Sequence, residues 1–269
     1  MGRLNLFRYM GGKHHMVNIV TKYLYYDTDT YIELFGGSAK VLLNKISHKI
    51  EIYNDINSDI YNLFSVIKNN KDEFIEALKY TIYSEKFFNE IRDSKPTNNM
   101  ERAIKTFCTT NMSYAGKGKT YGYSYTRSDT KSYFNKIDNI DTIYNRIKNV
   151  TFLNKDYNEV LKSIKGNKDF CIYVDPPYYN AEHYYEHKFT KEDHIKLSWW
   201  LNNLDHKIIL SYYYFPEVEN LYPKNKWNYF EYKNYKHSCK KVDINGNRQQ
   251  SLELIITNFE TSKQITWEN

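Results

Sequence analysis

Asp175-Pro176-Pro177-Tyr178 is the stretch of this chain whose residue types and spacing most directly suggest chemistry. Two consecutive prolines fix φ, remove two backbone donors and push Asp175 into an extended conformation. The Asp175 carboxylate and the Pro176 carbonyl can then be held as two acceptors pointing one way, and a flat donor such as an exocyclic amino group fits between them. Tyr178 adds an aromatic face at the mouth of the turn, the kind of surface on which an extruded base stacks. A proline turn that only closes a strand is the alternative. The preceding residues, Phe170-Cys171-Ile172-Tyr173-Val174, form an apolar, β-branched and aromatic run typical of a buried strand. Ligands of open α/β sheets gather at the carboxyl ends of strands, which is where this carboxylate falls.

The elements that must position such a turn lie on both sides of it. Near the N-terminus, Tyr9-Met10-Gly11-Gly12-Lys13 opens into an amphipathic run from 16 to 24. Paired glycines at a helix start expose backbone N–H groups and Lys13 adds a positive charge, so the place suits a carboxylate or a phosphate, with a plain loop-to-helix junction and a solvated lysine as the alternative. Tyr31 to Phe35 then reads as a strand, Gly36-Gly37-Ser38 as a turn, and Val41, Leu42 and Leu43 as part of a helix. A second strand, Lys49 to Tyr53, ends at Asn54-Asp55. Strand, glycine turn, helix, and an acid about twenty residues beyond the glycines form the cradle by which adenosine cofactors approach a backbone. The pattern does not separate a nicotinamide enzyme from one that uses another adenosine cofactor.

From about Ser58 to Val150 the chain reads as helical, with amphipathic patterns through 60–67, 74–82, 87–91 and 100–107. Within it, Asn111 to Arg127 interleaves glycines, lysines and tyrosines, a combination that suits a nucleic-acid backbone and an unstacked base, with a long solvated loop as the alternative. Gly118-Lys119-Thr120 imitates the end of a P-loop, but Ser113 stands where the first glycine would be and no apolar strand precedes it. Beyond 150 the alternation of strand and helix resumes: Val150 to Leu153, Asn154-Lys155-Asp156-Tyr157, a helix through Val160 and Ile164, and the central strand. A helix from His194 to Leu204, with Trp199-Trp200 expected in the core, precedes a strand from Lys207. The basic segment Trp227 to Arg248 resembles a hairpin around Asn245-Gly246, and Ser251 to Asn258 is the last strand. His183 and His187 lack the further ligands a metal needs.

With 269 residues and a net charge of +6, the chain can bury a sizeable core and tolerates a polyanionic partner without demanding one. No apolar run reaches membrane-spanning length and no signal peptide is visible, which points to a soluble intracellular protein. Cys108, Cys171 and Cys239 are odd in number and far apart, so reduced thiols are expected. Tyrosine is abundant, 28 residues, and a single tyrosine is therefore a weak signal.

The order of these motifs resembles that of the Dam-type DNA adenine-N6 methyltransferases. The matching pieces are Tyr9 to Lys13, Glu33 to Ser38, Asn54 to Asn57, Asn111 to Ser124, Asn154 to Tyr157, Asp175 to Tyr178, Ser211-Tyr212 and Glu253 to Asn258. The resemblance implies an α/β fold: a seven-stranded, Rossmann-like S-adenosylmethionine-dependent methyltransferase sheet carrying an inserted, mostly helical target-recognition domain. Residues 1–57 and 151–269 would form the catalytic domain and 58–150 the DNA-binding one. Tyr9 and Lys13 would contact S-adenosylmethionine, with Lys13 near its carboxylate. Glu33, Phe35, Gly36, Gly37 and Ser38 would hold its methionine part, Asp55 the ribose hydroxyls, and Asp156 with Tyr157 the adenine ring. Asp175, Pro176 and Tyr178 would hold the target base, Asp175 also bordering the cofactor. Asn111, Ser113, Tyr114, Lys117, Lys119, Tyr121, Arg127 and Lys240 are the candidates for contacting double-stranded DNA.

On this reading the products are N6-methyladenine and S-adenosylhomocysteine, no metal is needed, and the base flips out of the duplex. The setting would be the cytoplasm of a bacterial cell or phage-infected host. A cognate restriction endonuclease and the choice between monomer and dimer stay open. Transfer to cytosine N4 is the neighbouring alternative, with an RNA or protein acceptor further off. A DNA-binding module that keeps the fold without the reaction is the alternative from another class.

Overall fold

The structure, a computed structural model, describes residues 3–8, 16–167, 170–179, 189–235 and 250–261. In chain order the elements are α1 (Val17–Tyr23), β1 (Thr30–Glu33), α2 (Lys40–Asn44), β2 (Ile50–Asn54), α3 (Ser58–Asn69), α4 (Lys71–Lys79), α5 (Glu85–Asp93) and α6 (Asn99–Met112). After a short 3-10 turn, Tyr114–Gly116, come α7 (Asp129–Asp138), α8 (Ile140–Ile147), β3 (Thr151–Leu153), α9 (Tyr157–Ile164) and β4 (Phe170–Val174). The chain continues with α10 (Lys191–Asn202), β5 (Lys207–Tyr213), α11 (Val218–Leu221), β6 (Asn228–Tyr235) and β7 (Gln250–Thr257). The strands make one seven-stranded sheet in the order β3-β2-β1-β4-β5-β7-β6. The expected mixed α/β class and seven-stranded sheet are thus present.

The chain divides into two compact units, Met1–Val17 with Gly36–Tyr157, and Asn18–Phe35 with Asn158–Asn269. In the first, β2 and β3 pair in parallel, Asn54 opposite Leu153. Helix α3 follows from its sequence: Asn57 caps it by accepting from the Asp59 and Ile60 amides, and Ile60, Leu63, Phe64 and Ile67 fall on one buried stripe. Phe64, Phe74 and Phe107 are wholly buried, each stabilising the unit by about 2–3 kcal/mol.

In the second unit β1, β4 and β5 run parallel, with Glu33 opposite Tyr173 and Tyr173 opposite Ile209. β4 is buried almost throughout, as a central parallel strand must be when both faces are covered. β7 runs antiparallel to both β5 and β6. The basic segment expected as a hairpin therefore contributes β6, whose partner is the last strand, while its Asn245-Gly246 turn lies outside the described residues, as do His183 and His187.

Two expectations are corrected. Trp199 is 54% exposed, not core, while Trp200 is half-buried and donates its indole N–H to Asn158 Oδ1 at 3.0 Å. Ile82 lies beyond the end of α4 and is exposed. Within the stretch expected to be helical, α7 and α8 form where no separate amphipathic pattern is singled out. Cys108 and Cys171 are buried free thiols, and Cys239 lies outside the described residues.

Candidate active site

In the second unit, Asp175 leaves the carboxyl end of β4 and is half-buried, with Pro176 buried behind it. The Ser211 hydroxyl, from the adjacent β5, donates to Asp175 Oδ1 at 3.0 Å. Tyr173 Oη lies 3.0 Å from Ser211 Oγ. A serine has one hydroxyl proton, so with that proton on Asp175 the tyrosine is the donor to Ser211. The relay Tyr173, Ser211, Asp175 fixes the orientation of the carboxylate from within the sheet. Tyr178 packs on Tyr213, ring centroids 4.4 Å apart, and keeps part of its surface exposed. Tyr179 stacks on Phe215 at 4.6 Å and 9° and donates to Glu217 Oε1 at 3.4 Å, which anchors the far side of the turn.

At the end of β1 in the same unit, Glu33 is 2% exposed and accepts from Tyr31 Oη at 2.7 Å. Burial, and then the charge of Glu33, pushes the Tyr31 phenol well above its ordinary range, so Tyr31 keeps its proton and acts as donor. The Leu34 N–H donates to the Tyr173 carbonyl at 3.0 Å, and half-buried Phe35 meets Phe189 edge-on at 5.7 Å.

In the first unit the glycine turn is built around Tyr53. A Cβ on Gly36 would lie 1.9 Å from the Tyr53 ring, so only glycine fits there. Tyr53 Oη donates to the Gly37 carbonyl at 2.6 Å, and Gly37 has φ 49°, a left-handed conformation that glycine adopts at no steric cost. The Gly37 N–H donates to Asp55 Oδ2 at 2.7 Å, and the Asn57 N–H to Asp55 Oδ1 at 2.8 Å. Ser38 is buried beside them. Asn54 exchanges hydrogen bonds with the Lys155 backbone at 3.0 and 3.1 Å, and Asn154 Nδ2 donates to the Asp55 carbonyl at 2.8 Å. These bonds join the ends of β2 and β3, so that Asp55, half-buried Asp156 and buried Tyr157 have a common support.

These residues fit an adenosine cofactor. Glycine at 36 is required by the Tyr53 ring packed against it, and the turn so held supports the Asp55 carboxylate. Two backbone N–H groups aim the Asp55 carboxylate, an acceptor of the kind that ribose hydroxyls need. Tyr9 and Lys13, the other cofactor candidates, lie outside the described residues, as does Lys240.

The segment expected to grip DNA is divided by burial. Asn111, in α6, is 2% exposed; its Nδ2 donates to the Leu6 carbonyl at 3.3 Å and its Oδ1 accepts from buried Lys136. Ser113 is wholly buried and its Oγ accepts from the Gly118 N–H at 2.8 Å. Both shape the segment from inside. Tyr114, Lys119 and Arg127 are exposed, together with Tyr123 and Tyr125, while Tyr121 is half-buried against Tyr83 and Phe88. Lys117 is exposed as well. Arg127 and Arg8 share the buried carboxylate of Asp129.

By sequence Ser211 stands out only as part of a motif, and Tyr173, Tyr213, Asp129 and Lys136 carry no mark of a site. A polar residue within the apolar run 207–213 is the available signal for Ser211.

A family model described as D12 class N6 adenine-specific DNA methyltransferase matches residues 9–238. The chain is 25% identical over 214 residues to the Type II methyltransferase M.CviBI of Paramecium bursaria Chlorella virus NC1A, covering 76% of this chain and 81% of that one. It is 27% identical over 203 residues to the Type II methyltransferase M.MjaIII of Methanocaldococcus jannaschii, covering 65% and 69%. With the DNA adenine methylase of Haemophilus influenzae it shares 24% identity over 181 residues, covering 64% and 62%.

Proposed function

Because the chain belongs to the D12 class N6 adenine-specific DNA methyltransferase family, and its reaction is therefore methyl transfer to adenine N6 in DNA, we propose how its residues divide that work. Asp175 and the Pro176 carbonyl hold the target amine, with Tyr178 under the base. The Gly36-Gly37 turn, Ser38, Asp55, Asp156 and Tyr157 hold S-adenosylmethionine, together with Glu33, Phe35 and, at the N-terminus, Tyr9 and Lys13. The helical segment 58–150 recognises double-stranded DNA, and 1–57 with 151–269 carry the chemistry. The observation that carries this reading is the Ser211 hydroxyl bond to Asp175, which aims a carboxylate at the end of a central strand.

The amine of adenine is a poor nucleophile because its lone pair is delocalised into the ring. Asp175 and the Pro176 carbonyl accept hydrogen bonds from its two amino hydrogens and draw the nitrogen toward tetrahedral geometry, which localises the lone pair. The Asp175 charge also stabilises the nitrogen as it becomes positive. Bound S-adenosylmethionine supplies an electrophilic methyl group on a sulfonium. Tyr178, backed by Tyr213, offers its face to a base that has left the duplex stack and so limits the orientations of the amine. Lys117, Lys119 and Arg127 track phosphates, and exposed Tyr114 offers stacking surface.

On this reading the enzyme acts as a monomer in the cytoplasm. The Type II names of two relatives make a cognate restriction endonuclease the partner to seek. Among the described residues no helix is long and apolar enough to cross a membrane. The test is to incubate the protein with S-adenosylmethionine and unmethylated DNA of mixed sequence, digest to nucleosides and identify the methylated base by mass spectrometry. N6-methyladenine is expected. N4-methylcytosine would overturn the placement of adenine against Asp175, and no methylated base from folded, cofactor-binding protein would overturn the catalytic assignment.

A further inference from the structure

We infer that His194 is a positioning residue for the methyl transfer: its imidazole, fixed by Tyr212, wedges Tyr179 in place and thereby sets where Tyr178 receives the target base. The inference rests on the functional reading above and concerns residues of the second unit alone.

His194 stands in the first turn of α10, and the start of that helix is pinned by a capping box. The Thr190 N–H donates to Asp193 Oδ2 at 2.8 Å, and the Asp193 N–H donates to Thr190 Oγ1 at 3.4 Å. The register so fixed turns His194 inward, where it is wholly buried. Its Nδ1 lies 2.5 Å from Oη of Tyr212, a wholly buried residue of β5 and the chain neighbour of Ser211. Phe189 meets the imidazole edge-on, ring centroids 4.7 Å apart and planes at 82°, and is itself held edge-on by Phe35. Tyr179 meets the imidazole at 5.3 Å and 57°, and stacks on Phe215 at 4.6 Å. The ring is thus anchored by Tyr212 and Phe189, and it passes that anchoring on to Tyr179.

A leucine or a phenylalanine would fill such a space without burying ring nitrogens, whose burial costs free energy unless they are hydrogen-bonded. What the imidazole adds is direction. Rotation of a histidine ring about its Cβ–Cγ bond is otherwise soft, so a bond at Nδ1 fixes the surface that Tyr179 meets. Tyr179 follows Tyr178 directly in the chain, and Tyr178 rests on Tyr213 at 4.4 Å while Tyr179 rests on Phe215 and His194. The turn that begins at Asp175 is therefore held at its near end by the Ser211 bond and at its far end by the rings around His194. Loosening the far end leaves Asp175 aimed but lets the platform under the base drift. A shift of about 1 Å in the geometry of reacting groups is enough to cost about a hundredfold in rate.

The test compares Tyr212→Phe, which keeps every ring and removes one hydroxyl, with His194→Phe, which keeps a ring and removes the nitrogens, and with the double variant. Each is followed in the full chain by single-turnover methyl transfer, by S-adenosylhomocysteine and duplex affinities, and by the fluorescence of 2-aminopurine replacing the target adenine in a duplex with a mapped methylation site. In both single variants the rate at saturating substrates should fall about tenfold, with both affinities within about twofold of the wild type. The fluorescence of the bound 2-aminopurine should depart from the wild-type value, because the face against the base has moved. The double variant should be no worse than either single one, since one shared bond is lost only once. Should His194→Phe fail to fold, Tyr212→Phe carries the test. Wild-type rate and fluorescence in Tyr212→Phe would overturn the inference and leave His194 a core residue. Additive losses in the double variant, or a rate loss matched by loss of both affinities, would overturn it as well. Folded wild-type protein that transfers no methyl group would overturn the functional reading, and the inference with it.

Discussion

Ser211 Oγ donates to Asp175 Oδ1 across 3.0 Å, and Tyr173 stands behind it as the donor to Ser211. The aim of the Asp175 carboxylate is thus set by two side chains on parallel neighbouring strands, β4 and β5, and not by the proline turn alone. Ser211→Ala removes the orienting bond without touching cofactor residues. The methyl-transfer rate at saturating substrates should fall about tenfold, the equivalent of one hydrogen bond of about 1.4 kcal/mol. S-adenosylhomocysteine affinity should hold, and an unchanged rate would show that the prolines fix Asp175 by themselves.

Gly36 faces the ring of Tyr53, with no room for a methyl group. Gly36→Ala should therefore shift the ring or the turn, at a cost of about 1–3 kcal/mol in urea unfolding. It should also weaken S-adenosylhomocysteine binding, because Tyr53 holds the Gly37 carbonyl. A variant with the wild-type urea midpoint would mean that the ring moves aside freely.

Lys136 is buried, and its ammonium is pushed down to about 7 by that burial, then by the positive charges of Arg8 and Lys40. Between that value and the ordinary lysine range, the unfolded chain binds a proton that the folded chain does not. Stability contributed by this group therefore rises with pH through that window and is constant below about 7. From about pH 7.5 to 9 the wild type should gain on Lys136→Met by about 1 kcal/mol per pH unit. Parallel stability curves would show that Lys136 titrates normally.

Lys117 and Lys119 are exposed in the segment proposed to meet DNA. If both meet phosphates, replacing both with glutamine should lower the slope of log affinity against log salt by about 0.9 for each phosphate no longer neutralised. An unchanged slope would remove this segment from the DNA backbone.

Much of this arrangement is legible in the residues themselves. Phe170–Val174 reads as a buried strand because its apolar run is short, β-branched and followed by prolines that cannot continue a ladder, and β4 has those bounds. Gly36-Gly37 and Asp55 read as a cradle because strand, turn and acid recur at fixed spacing. Helix α7 is not legible: Asp129–Asp138 is mostly polar, and its apolar burial is confined to Tyr133 and Ile137. For α8 a signal does exist, in the helical spacing of Ile140, Ile143 and Ile147, but it spans only two turns next to a polar stretch. The burial of Asn111 and Ser113 is beyond reach, since composition marks a segment as polar without saying which polar groups turn inward to hold it. Trp199 shows the converse, because a large apolar residue on a helix face carries no label for the side that stays open.

The most direct test of the central claim is Asp175→Asn, which removes the charge and keeps the shape. Single-turnover transfer of the methyl group from S-adenosylmethionine to DNA should be compared with S-adenosylhomocysteine affinity in the same variant. The predicted result is a rate lower by about a hundredfold or more, as for loss of a preorganised electrostatic partner, with affinity within about threefold of the wild type. A rate near that of the wild type, or loss of transfer and of cofactor binding together, would contradict the assignment of Asp175 to the target amine.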